Sequence, residues 1–350
     1  MTRNDRRNAH LPTQAATVRT LTAAIASVLG IGLPAQAWAQ ATNIVADGRT
    51  GTTVTGSGTL EVNTATTRGA NAINSFQHFQ VGAGDTVNLR LPGGTRNLIN
   101  LVWDSQALVN GTLNSYLSNN QIGGRVFFAD PHGFVLGSQG VINVGALSIS
   151  TPTASFMNSV LLDGTGNGAI ERLLKGDIEL ADGRVDLAGR VNARDAVRVQ
   201  ARAIDASGVI WVEGGNGDDK LDTQIAVNAG AGTGTRLVQD GDTILLVAAD
   251  SIDVAGTLRT QGGDVILQSD DAVTLAGTAR VNTRQVAGAA DASLDATVST
   301  GDAGHVTVAA RTIEVEQGAR VLAFGNNGRA GGGITLAASA FHQVQSGKGG

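Results

Sequence analysis

The sequence predicts an all-β fold, a right-handed parallel β-helix with N-terminal capping strands and extra-helical insertions, and three observations carry that prediction. First, residues 123–151 hold three short apolar runs, 125–128, 134–136 and 141–149. They are cut apart by Asp130-Pro131-His132-Gly133 and Gly137-Ser138-Gln139-Gly140, both built of turn formers. Strands this short suit stacked coils of chain, with Val, Ile, Leu and Phe inside and Gly and Asn at the corners. Second, 48 glycines stand against 8 Phe, 3 Trp and 1 Tyr, a balance unlike that of an ordinary globular enzyme. Third, Gly241-Asp242-Thr243-Ile244-Leu245 returns as Gly263-Asp264-Val265-Ile266-Leu267, a shift of 22 with the glycines aligned, and Ala255-Gly256-Thr257 returns as Ala276-Gly277-Thr278, a shift of 21. One rung of three short strands and three corners consumes about that much chain.

The N-terminus reads as an address. Arg3, Arg6 and Arg7, with Arg19 further on, precede an apolar run over 21–33, and Ala35, Ala37, Ala39 and Ala41 form overlapping small-residue cleavage sites. Residues 1–41 are therefore expected to be a signal peptide cut after Ala39 or Ala41. The apolar run is too short for a spanning helix, which needs about 20 residues.

Residues 42–59 are Thr- and Gly-rich and are expected to cap the open end of the first rung, which has no neighbour. Phe76, Phe79 and Val81 belong in that capping core. His78 between them is read as a surface or corner histidine. Asn97, Asn100 and Asn110 are placed at turns, where Asn tolerates the left-handed region and can stack on Asn of the next rung. Residues 155–175 break the short-strand rhythm and are expected to form a helical, extra-helical excursion. Strands resume at 178–180, 184–187, 190–192, 196–200, 203–205 and 209–212, and 286–301 is a second insertion.

Several of these segments fall in a familiar order: Asn74-Ser75-Phe76, then Asn97-Leu98-Ile99-Asn100-Leu101-Val102, Asn110-Gly111-Thr112-Leu113, Phe127-Phe128-Ala129-Asp130-Pro131-His132-Gly133-Phe134, and Ile142-Asn143-Val144-Gly145-Ala146-Leu147. This order resembles the haemagglutination-activity domain, the N-terminal two-partner secretion domain of filamentous haemagglutinin-like adhesins and exoproteins. The resemblance is close over 42–159 and architectural thereafter. It implies a secretion domain over 42–159 and passenger rungs over 160–350 that run on beyond residue 350. It further implies an outer-membrane two-partner transporter whose periplasmic recognition domains read Asn97, Asn100, Asp130, Pro131, His132, Gly133 and Phe134, and β-helix folding nucleated at the cell surface. The family usually carries Asn-Pro-Asn-Gly-Ile at the central turn. Here Pro131 and Gly133 are kept while Asp130 and His132 replace the two amides.

The net charge is −5, and Arg3, Arg6, Arg7, Arg19 and Asp5 contribute +3, so the chain without them carries −8. An acidic body without a basic run is a poor nucleic-acid binder, and no nucleic acid is expected as a partner. There is no cysteine, hence no disulfide and no thiolate chemistry. Gly214-Gly215-Asn216-Gly217-Asp218-Asp219-Lys220-Leu221-Asp222 fits one copy of a calcium nonapeptide, with Asp218 and Asp219 as the ligand candidates. Ca²⁺ wants six to eight oxygens and one copy offers about half, so a plain Gly/Asp loop is the preferred reading and no metal or cofactor is expected. The scattered histidines match no catalytic motif. Asp177, Glu179, Asp182, Arg184 and Asp186 are read as the solvated face of rungs. The function expected is a secreted, monomeric, non-enzymatic domain of a Gram-negative surface protein, whose wider passenger meets a host-cell receptor. The alternative is a secreted β-helical polysaccharide lyase or hydrolase.

Overall fold

The computed structural model describes residues 41–215, 217–227, 235–239, 241–287 and 298–343. The segment expected to be the signal, with Ala39, lies outside the described residues; Ala41 is the first of them.

The described chain opens with strands that protect an edge. A β-helix must begin with a coil whose outer backbone groups have no partner. Here β1 (Asn43–Ala46) lies antiparallel on β5 (Asn71–Val81), β2 (Thr52–Ser57) lies antiparallel on β3 (Thr59–Thr64), and the short β4 (Thr67–Arg68) lies antiparallel on the start of β5. These pairings are the cap expected from the Thr/Gly-rich start.

From there all but one of the ladders among the described residues are parallel. The first face is built from the start of β5, β7 (Asn97–Val102), β10 (Arg125–Ala129), the end of β12 (Val141–Ser150), the middle of β14 (Arg190–Ala206) and the start of β18 (Thr243–Val254). It continues through β20 (Val265–Ser269) and the starts of β23 (Val306–Val315) and β25 (Ile334–Gln343). The second face runs through β8 (Ala107–Val109), β11 (Gly133–Leu136), β13 (Arg184–Leu187) and β21 (Ala272–Leu275). The third runs through β6 (Thr86–Arg90), β9 (Thr112–Tyr116), β15 (Val209–Val212), β19 (Thr257–Thr260), β22 (Arg280–Asn282) and β24 (Arg320–Leu322). The exception, the antiparallel hairpin of β16 (Thr223–Val227) and β17 (Thr235–Gln239), forms a separate small sheet.

Register follows burial. Leu98, Val126, Leu147, Val197, Ile244, Val265 and Val306 pair in sequence down the first face, and every one is fully buried. This corrects the shift of 22: Ile244 pairs with Val265, 21 residues on. A slip of one would set Ile244 beside the half-exposed Ile266 and turn the apolar set outward. The third face differs again, because Thr257 pairs with Arg280 after a turn at 277–278 that adds two residues to the corner. A second correction concerns 190–206, expected as three strands and observed as the single 17-residue β14, whose ladder pairing breaks or shifts register at the corners near 194–195 and 202. At 178–180 there is an isolated bridge between Leu180 and Pro152 instead of a strand.

The expected helical excursion is present as α1 (Ala154–Leu162) and α2 (Ala169–Lys175). Thr153 starts α1, its hydroxyl accepting from the Phe156 N–H at 3.3 Å, and Gly176 ends α2 in the left-handed region. The pair buries Phe156, Met157, Val160, Ile170 and Leu173 against Ile73, Ile99, Leu101, Phe127 and Ala129, which point outward from the first face. That second core explains why all six residues of β7 are buried: the strand has apolar material on both sides and reads as a continuous run instead of an alternation. In the later insertion only the ends are described, tied by a bridge between Val286 and Ser299.

Candidate functional site

The turn that joins β10 to β11 is held from inside. Asp130 is 1% exposed, and each of its carboxylate oxygens accepts a backbone N–H, Oδ2 from Ala107 and Oδ1 from His132, both at 2.8 Å. The Gly133 N–H closes the turn on the Asp130 carbonyl at 3.2 Å. Gly133 has φ of +110°, and a Cβ there would collide with the Arg184 carbonyl of the next rung, so glycine is required on both counts. Burial pushes the Asp130 carboxyl up to about 7, against the three backbone N–H groups of His132, Ala107 and Gly133 that favour its ionised form. His132 Nδ1 stands 3.3 Å from Asp130 Oδ1, and its side chain is half exposed. The next residue, Phe134, turns into the core, continuing a run of ring contacts Phe76–Phe79, Phe79–Phe128 and Phe128–Phe134 with centroids 5.1, 5.1 and 5.3 Å apart.

The asparagines are corrected in place. Asn97 and Asn100 lie within β7, at 6% and 0% exposure, and not at turns; only Asn110 stands at a corner. Their amides do stack from rung to rung: Asn97 Nδ2 donates to Asn71 Oδ1 at 2.7 Å, Asn74 Nδ2 to Asn100 Oδ1 at 3.0 Å, and Asn100 Nδ2 to the Phe127 carbonyl at 3.2 Å. A second ladder climbs the third face, from Asn192 to Asn143 to Asn114 to Asn88. An amide both donates and accepts, so one residue type repeated at one register bonds itself indefinitely.

The structure thus separates the seven motif residues. Asp130, Pro131, His132, Gly133 and Phe134 form one tight turn, with Pro131 and His132 facing solvent. Asn97 lies on the side of β7 that the helical layer covers and Asn100 on the side that faces the interior of the stack, and both are buried.

The 214–222 loop is anchored by its neighbours. The fully buried Asp195 accepts from the Gly217 and Asp219 N–H groups at 2.9 and 3.0 Å, and Asp219 Oδ2 accepts from the Gly124 N–H at 2.9 Å. Asp219 is 8% exposed while Asp218 faces solvent, so the two calcium candidates point apart. Among the described residues no three His, Cys, Asp or Glu side chains converge as a metal set.

Two arginines missed by sequence reasoning tie the helices to the stack. Arg68 donates to the Val160 and Leu161 carbonyls at 3.1 and 2.7 Å, meeting the end of α1. Arg198, fully buried, donates to the Leu173 and Leu174 carbonyls at the end of α2 and to Ser148 and Thr223. Both satisfy carbonyls that a helix leaves unpaired. Burial lowers the Arg198 guanidinium to about 9, with Asp222 opposing, so it stays charged at neutral pH. An Arg inside an otherwise apolar strand, Val197-Arg198-Val199, was the available signal. His78, expected as a surface or corner histidine, lies within β5 opposite Val45, half-buried and hydrogen-bonded to Ser105 at 3.1 Å.

A capped parallel β-helix whose motif residues knit rung to rung defines an elongated β-solenoid domain. The TPS secretion domain family matches residues 39–336, most of the chain. The chain belongs to this family, the secretion domains of two-partner secretion exoproteins, which Gram-negative bacteria deliver to the cell surface or beyond. Among solved structures the chain is similar to the crystal structure of the filamentous hemagglutinin secretion domain, at 15% identity and a TM-score of 0.44, covering 85% of this chain and 99% of that one. No curated protein matches it.

Proposed function

We propose that the domain carries its exoprotein to an outer-membrane transporter, which reads residues 97–102 and 130–134 in the still-extended chain, and that folding then withdraws 97–102. One observation supports this reading above others: both edges of β7 are taken in the folded domain, by β5 on one side and β10 on the other, and Asn97 and Asn100 are buried. A recognition domain that adds a strand to the chain needs a free edge, and a folded rung offers none there. Binding and folding therefore compete for the same backbone groups. Each rung completed outside the cell removes chain that could slide back, which drives export without a nucleotide. The capped first rungs, filled by the Phe76, Phe79, Phe128 and Phe134 rings, are where this folding starts. The signal of residues 1–41 delivers the chain to the periplasm. The secretion domain proper covers 42–159, the passenger rungs cover 160–350, and adhesion to a host receptor belongs to the wider passenger, as a monomer.

The test is export of the full chain from a Gram-negative host with and without its transporter, beside a Pro131→Ala, Gly133→Ala variant. Release only with the transporter, weakened in the variant, is expected. Equal release without the transporter would refute the reading.

A further inference from the structure

The two halves of the helical layer are tied to different parts of the chain. Both helices are short, α1 of nine residues and α2 of seven, and helices of fewer than about 12–15 residues are marginal by themselves. At α1 the long-range tie comes from an earlier residue, Arg68 of β4, on the Val160 and Leu161 carbonyls. At α2 the long-range ties come from later residues. Arg198 of β14 donates to the Leu173 and Leu174 carbonyls at 3.0 and 2.9 Å, and its guanidinium carbon lies 5.8 Å from the centre of the Phe127 ring. The same guanidinium donates to the Thr223 hydroxyl at 3.0 Å. Leu221, 2% exposed, belongs to the core that the helices share with Ile99 and Phe127. Its loop is fixed in turn by Asp195 and by the Gly124 N–H, which donates to Asp219 across 95 residues of chain.

What the later-tied half covers is Asn97. β5 and β10 take both edges of β7, so the outward side is the approach that remains to this residue. On that side a recess of about 220 Å³ is lined by Asn97 and Phe127 of the stack, by Leu174 and Lys175 of α2, and by Leu221 and Asp222 of the loop. Asn97 is left 6% exposed. A short helix held by tertiary packing stays down only while its ties are in place, and here those ties arrive with residues 198–223. We propose that α2 and the 214–222 loop form a latch that closes over Asn97 only when the rungs through residue 223 are stacked. On the reading of 97–102 as a segment the transporter recognises, the latch sets the moment at which that segment is sealed. The latch itself is a property of the fold and is tested without a transporter.

The full chain has no cysteine, so Asn97→Cys gives it a single thiol whose rate of reaction with a soluble maleimide reads the latch. Adding Arg198→Leu should speed that reaction by about tenfold or more. Adding Arg68→Leu, which loosens the α1 end, should leave it within about twofold. Circular dichroism checks that each variant is folded. An unchanged rate in folded Arg198→Leu, or equal acceleration by the two arginine variants, would overturn the proposal. A second measurement uses the parent chain and stands whatever the variants do. In refolding from urea followed by pulsed hydrogen exchange, 169–175 should gain protection together with 196–200 and 217–222. Protection of 169–175 ahead of those two segments would equally overturn it.

Discussion

Asp130 should make the domain less stable as pH rises from about 4 to about 7. The group's ordinary value is 3.8 and burial pushes it up to about 7 in the fold, so within that window the folded state holds a proton that the unfolded state has released. Stability falls wherever the folded state binds more protons, here by about 1.4 kcal/mol per pH unit and about 4 kcal/mol across the window. Above pH 7 the group contributes no further slope. Asp130→Asn removes the charge and with it this pH dependence. It also removes an acceptor: the two carboxylate oxygens accept from Ala107 and His132, and an amide can serve only one of them, leaving a buried N–H facing an NH₂ group. That loss costs about 1–3 kcal/mol. The variant should therefore be less stable than the parent at pH 5, with the gap closing or reversing by pH 7.5. Urea unfolding followed by circular dichroism at the two pH values measures both effects. Parallel pH profiles for the two proteins would refute the reasoning, because the slope would then belong to other groups.

Three further outcomes are expected. Gly133→Ala should lower stability by about 1–3 kcal/mol, read as a fall in the urea midpoint, since it strains a positive φ and drives a methyl into the Arg184 carbonyl. Arg198→Leu should leave the Leu173 and Leu174 carbonyls without their donor at a cost of about 3 kcal/mol. Limited proteolysis should then cut within 154–175 while the β-helix resists. Gly208→Ala should disturb the stack at one corner, because a Cβ there meets the Gly189 carbonyl of the rung before; hydrogen exchange should speed up at Val209 and Thr257, whose N–H groups bond to the Gly189 and Gly208 carbonyls.

Much of the architecture was written locally. Short apolar runs between Gly, Asn and Asp corners specify strands and turns one rung at a time, and the cap and the 155–175 excursion show as breaks in that rhythm. The register did not follow from motif alignment. Glycines at 241 and 263 align at 22, but the apolar ladder from Leu98 to Val306 chooses 21, because burial acts on side chains and not on corner residues. The asparagines illustrate the same division. Sequence identified Asn97 and Asn100 as stacking residues, yet placed them at turns, since local propensity could not know that α1 and α2 would cover the side of β7 that carries Asn97, or that Asn74 and the Phe127 carbonyl of the adjoining rungs would satisfy Asn100 on the inner side.

The 130–134 turn was legible because Pro131 and Gly133 dictate local geometry wherever they occur. What Asp130 does there was not legible. One carboxylate partner, His132, lies two residues on in the same turn, but the other, Ala107, comes from the rung before and is brought within hydrogen-bond reach only by stacking. The sequence by itself determined a capped β-solenoid and the position of its central turn. The tertiary structure decided which side chains face inward, how the buried Arg198, Asp195 and Asp130 are satisfied, and which motif residues a partner could reach, because each of those depends on contacts between rungs and not along the chain.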